Sequence, residues 1–179
     1  MSPQELEAYR RWFIENIPVR TAALEHAVTS SPGFENWTPD LSPASLEMLG
    51  SWLAHQVESR ARTADEVYRI RQRATFDIDI PREELTDRTF SLAIDVGMYF
   101  GETLFRHCAN LEWKQLLKGK DFADFGQMAL LGFGRAPLNP VRIVVILCYG
   151  IASGKHTGKR LKELYDYWSK LAVNAGKVA

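Results

Sequence analysis

Long apolar runs, paired cysteines and an excess of one charge are all missing from this sequence, and each absence removes a class of protein. The longest apolar stretch, "IVVILCYGIA" from Ile143 to Ala152, falls well short of the ~20 residues that cross a bilayer. It reads as a buried helix, and no membrane span is expected. The 22 basic residues cancel the 22 acidic ones, so the chain lacks the large positive field on which nucleic-acid and membrane-surface binding rely. Only two cysteines occur, Cys108 and Cys148, too far apart for a CxxC pair. A metal ribbon or redox pair is therefore unsupported, and both are expected to be buried thiols in a cytoplasmic protein. The opening "MSPQELEAYRRWF" carries acids and no apolar core, unlike a signal peptide.

Chemistry-bearing motifs are equally scarce. No GxSxG, no HExxH and no ordered Ser/His/Asp set stands out. The histidines His26, His55, His107 and His156 share none of the i, i+3 or i, i+4 spacings of a helix-borne metal site, so no metal and no cofactor is expected. His107 beside Cys108 cannot form a base and nucleophile on one helix face, because neighbours diverge by ~100°. "GIASGKHTGKR" has glycines, lysines and a threonine before a helix, but each gap between its glycines encloses three residues. A phosphate-binding loop needs four and a preceding strand, so this is read as an interhelical turn.

What is present is helical punctuation. Ser2-Pro3-Gln4-Glu5 is a capping box, followed by Leu6, Tyr9, Phe13 and Ile14 at helical spacing. Pro18 is expected to kink or break that helix, a second segment continuing through Leu24 and Val28 to "SSPG". Phe34 and Trp37 should pin the following loop to the core. Ser42-Pro43 opens a helix striped by Leu46, Leu49, Trp52, Leu53 and Val57, and Thr63 with Glu66 caps a short, half-exposed one. "TFDIDIP" alternates like a strand or an extended connection, closed by Pro81. Thr86 caps a long helix; "EWKQLLKG" and "GQMALLGFG" around "KDFAD" form a hairpin. Asn139-Pro140 starts the apolar helix, and Lys159 to Val173 forms the last, with Leu161, Leu164, Tyr165, Trp168 and Leu171 inward. "NAGKVA" is expected to fray.

The expected fold is thus mainly α with a minor β part: a single-domain bundle over residues 1–179, with N-terminal helices in 1–31, central helices in 42–110, a small antiparallel β-hairpin in 111–134 (strands near 112–133) and C-terminal helices in 139–173. At this length such a domain buries roughly 70% of its unfolded surface.

Within "DVGMYFGETLFRHCANLEW", residues 95–113, Asp95, Tyr99, Glu102 and Arg106 fall on one helix face, with Gly97 and Gly101 opposite. The glycines are expected to admit a close neighbour, the 141–151 helix foremost, since each costs about 1 kcal/mol in a helix interior. The carboxylates are read either as a solvated face with a Glu102 to Arg106 pair, or as a site with Trp113 as an apolar wall.

"LSPASLEMLGSWL", the 95–113 stretch, "FGQMALLGF" and "LNPVRIV" together resemble a group of uncharacterised bacterial domains in which a Gly-Glu helix runs into a Trp-bearing strand. Some of these sit near polymorphic-toxin immunity proteins. The resemblance covers about the last three quarters of the chain, its matching positions are Tyr99, Gly101, Glu102, Trp113, Asn139 and Pro140, and it implies a bacterial cytoplasmic setting. The expectation drawn is a non-enzymatic, immunity-like protein-binding domain acting through Asp95, Tyr99 and Glu102 or the hairpin. The alternative is an enzyme or sensor for a small cationic or hydroxylated ligand held by Asp95 and Glu102. Five tryptophans and the apolar helix suggest an exposed patch and a homodimer.

Overall fold

Side-chain caps start four of the helices where the sequence places them. In the computed structural model, which describes residues 2–74, 76, 78–119, 123–134 and 136–175, Ser2 and Glu5 close the capping box of α1 (Pro3–Thr29). Thr63 and Glu66 do the same for α3 (Ala64–Arg73). Thr86 accepts from the Thr89 amide to start α4 (Asp87–His107), and Asn139 from the Arg142 amide to start α5 (Pro140–Ala152). The other helices are α2 (Ser45–Gln56) and α6 (Arg160–Ala175). Two antiparallel two-stranded sheets complete the described residues: β1 (Ser59–Ala61) with β2 (Glu83–Leu85), and β3 (Glu112–Gln115) with β4 (Met128–Leu131). The architecture is mainly α with a small β component. Its core joins residues from all six helices' neighbourhoods except α3, which has no buried residue.

Several expectations need correction. α1 runs unbroken through Pro18. The carbonyl that loses its partner there belongs to Ile14, a residue 39% exposed, so the missing bond falls on the outer side of the helix and not in the core. α2 begins at Ser45, with Ser42 and Pro43 forming a turn before it; the Ser42 hydroxyl still accepts from the Ser45 amide at 3.2 Å. The strand foreseen in "TFDIDIP" lies instead beyond Pro81, where β2 pairs with β1; Thr75 and Asp77 are outside the described residues. β1 was invisible to periodicity because all three of its residues are exposed. Asn174 and Ala175 belong to α6, while 176–179, like 120–122 of the "KDFAD" turn, lie outside the described residues.

The β1–β2 ribbon is tied to the body by a cluster that the sequence does not advertise. Glu84 pairs with Arg62 and accepts a hydrogen bond from the Tyr149 hydroxyl of α5. Burial and that carboxylate both push the Tyr149 phenol up. Of the five tryptophans, Trp37 and Trp52 are buried, and Trp113 and Trp168 pack on the core, leaving Trp12 exposed. Four of the five tryptophans are thus taken up by the core, while Ile146 of the apolar helix is 55% exposed. Both cysteines are buried and free, and burial raises the Cys148 thiol to about 12.

α4 lies at the centre, and its two glycines set its distances. A Cβ on Gly97 would stand 2.6 Å from the Val141 Cα of α5, and one on Gly101 would stand 2.5 Å from the Trp113 ring. The close neighbours are the first turn of α5, as expected, and the β3 indole. Gly97→Ala is expected to lower unfolding free energy by about 1–3 kcal/mol, because backbone rather than a movable side chain must shift. Urea denaturation of the variant checks this; an unchanged midpoint would show that α5 gives way freely.

Candidate functional site

The stripe Asp95, Tyr99, Glu102, Arg106 is buried at its Asp95 and Tyr99 end and reaches water at Arg106. Residues 95–101 of α4 are all buried, so Asp95 and Tyr99 have to find their partners within the protein. Asp95, 6% exposed, receives both Nε and Nη2 of Arg20 from α1, at 2.5 and 2.8 Å. Burial raises its carboxyl above the ordinary value and Arg20 opposes that rise without cancelling it. Tyr99 turns elsewhere: its hydroxyl accepts from the Leu41 amide at 2.9 Å, lies 2.7 Å from the Ser45 hydroxyl, and its ring meets Trp37. No bond links it to Asp95.

Leu41 explains that position. Its backbone is left-handed at φ 57°, an uncommon state for a branched side chain. The Tyr99 hydroxyl holds its amide, and Nε2 of His107 donates to its carbonyl at 3.0 Å. Tyr99 and His107 thus fix the loop that Phe34 and Trp37 pin down.

Glu102, Arg106 and Trp113 do come together at the far end of α4. Trp113 Nε1 donates to Glu102 at 3.4 Å, and Arg106 Nε lies 3.8 Å from the same carboxylate. Arg106 is largely in water. Asp95 and Glu102 do not converge, and neither lines the principal groove or the shallower one beside Asp124 and Arg142.

The principal groove lies between α2 and the start of α6, with a volume of about 700 Å³, inside the ~300–1,000 Å³ range of ligand sites. Glu47, Ser51 and His55, spaced four apart, present one face of α2 to it together with Ala54; Thr157, Gly158, Lys159, Lys162 and Glu163 form the other wall. The turn between α5 and α6 brings that wall into place. Gly150 accepts from the amides of Lys155 and His156, and Gly154 takes φ 71°, a conformation that suits glycine. Gly158 then meets Gly50 of α2 backbone to backbone, where either Cβ would collide.

"GIASGKHTGKR" is therefore an interhelical turn, as its spacing implies, and it also borders the groove. His55 Nδ1 lies 2.8 Å from the Ser51 carbonyl. A carbonyl only accepts, so Nδ1 carries the proton and Nε2 remains an acceptor in the neutral ring. Sequence reading missed these residues because a polar helix face looks like a solvated one; the signal available was Gly50, set inside the apolar stripe of α2. Among the described residues no group of three or more His, Cys, Asp or Glu is placed to hold a metal ion, and no helix is long and apolar enough to cross a membrane.

Arg20→Leu is expected to cost about 2–3 kcal/mol at neutral pH, less than a fully buried pair because a third of the Arg20 side chain is in water. The folded Asp95 carboxyl binds its proton more tightly than the unfolded one, and losing Arg20 raises it further. The cost should therefore be greatest above that raised value and fade as acid protonates Asp95 in both states. Thermal melts across the acidic range check the sign. Glu102→Gln should change stability by ~0.5 kcal/mol or less.

No family model, no curated protein and no solved structure matches this chain.

Proposed function

We propose that this protein is a non-enzymatic binding domain, acting in a bacterial cytoplasm, that holds a segment of a partner protein in the α2/α6 groove. The observation that carries the reading is the groove itself, open along one side and bordered by the Ser51 and Thr157 hydroxyls, Glu47 and Lys159, whose side chains make no hydrogen bond to another described residue. Buried side-chain polar atoms among the described residues all have partners. The groove therefore collects polar groups that are available to a ligand, above a close-packed glycine seam. An open groove suits binding better than catalysis, which gains from excluding water. Two free cysteines fit a reducing compartment.

The reading in which Asp95 and Glu102 hold a small cationic ligand has less support, since Asp95 already gives both oxygens to Arg20. The homodimer has less support as well: the exposed large hydrophobic residues, Trp12 and Val19 on α1, Ile146 on α5 and Tyr167 and Val173 on α6 among them, are spread over several helices.

A library of small fragments and short peptides, screened by amide chemical shifts, tests the proposal. Binders should move Ser51, Thr157 and Gly158, and Ala54→Trp, which crowds the groove without entering the core, should abolish binding while leaving the melt unchanged. Binders that retain affinity for Ala54→Trp, shifts confined to another surface, or turnover in a broad hydrolase screen would each defeat it.

A further inference from the structure

The charges around the groove divide into those already paired and those left over. Arg160 Nη1 holds Glu163 at 2.9 Å, and Lys162 Nζ holds both oxygens of Asp166 at 2.7 and 2.9 Å. Glu47 on the α2 wall and Lys159 on the α6 wall form no ion pair among the described residues, with each other or with anything else. Opposite charges on facing walls that do not meet are separated by the cleft, so each is free to meet a charge carried by whatever lies between them. Ala54 and Gly158 line the groove as well and add little side-chain bulk to it, which leaves room for an extended backbone.

The geometry points to a dipolar occupant: an extended peptide segment with a basic side chain against Glu47 and an acidic side chain against Lys159. This rests on the groove being the binding site. The chain as a whole has zero formal charge, so no long-range field favours an acidic or a basic partner. Selection falls to the local pattern, where a like charge facing Glu47 or Lys159 is penalised and the matching order is favoured. The Ser51 and Thr157 hydroxyls and the Nε2 of His55 line the same groove and are suited to the peptide's own amides and carbonyls.

Acetylated and amidated peptides with one lysine and one glutamate separated by alanines provide the probe, titrated at low salt against the labelled full chain. The mixed-charge peptides should shift Ser51, Thr157 and Gly158. Glu47→Gln should weaken them about three- to fivefold yet leave unchanged the analogue whose lysine is replaced by norleucine; Lys159→Met should do the same for the analogue with glutamine in place of glutamate. Both residues are exposed, so an undisturbed spectrum will certify each variant's fold. If peptides bind in the groove and neither variant shows coupling, the charge pattern is refuted and the groove reading stands. If neither peptides nor fragments move the groove resonances, both fall.

Discussion

A helix whose middle is enclosed on every side has to provide a partner for each polar group buried there and room for each neighbour, and α4 meets both demands over residues 95–101 with few residues. Gly97 admits the backbone of α5 and Gly101 the ring of Trp113. Asp95 takes the guanidinium of Arg20 and so binds α1; Tyr99 holds the loop ahead of α2 through Leu41. Remove the close approaches and α5 moves outward; remove the polar contacts and α1 and the loop lose their register. The rest of the molecule is arranged around these contacts.

The groove follows from that arrangement at one remove. α5 is pressed against α4, the turn after it is fixed by bonds to Gly150, and α6 must then return across α2, which it meets through Gly50 and Gly158. Two helices brought this close at one point by glycines separate on either side of it, and the separation is lined by the polar face of α2 and the first turn of α6. A packing constraint at the centre of the bundle thus leads to an open groove at its edge.

Charged groups have opposite meanings in the two places. At Asp95 both oxygens are occupied, and the carboxyl remains raised by burial in spite of Arg20. It is a structural group held at some cost. At Glu47 and Lys159 the charges are hydrated and unopposed, so a ligand meeting them loses little to desolvation. Such sites favour selectivity among partners over great affinity.

The helix starts were legible because a cap is a local event: Ser2, Thr63, Thr86 and Asn139 each bond an amide within three residues, whatever the rest of the chain does. The hairpin of β3 and β4 and the glycine packing of α4 were legible for a similar reason, since turn chemistry and the cost of glycine in a helix are intrinsic. The fate of the polar stripe was not. Whether Asp95 faces water or Arg20, seventy-five positions away in sequence, depends on where α1 lies, and helical periodicity reports only which residues share a face. The groove was hidden likewise, because Glu47 and Lys159 become neighbours across a cleft only when α6 returns over α2. Local capping and periodicity determined the elements; the long-range packing of α4 decided which polar residues were consumed by the fold and which were left without a partner among the described residues.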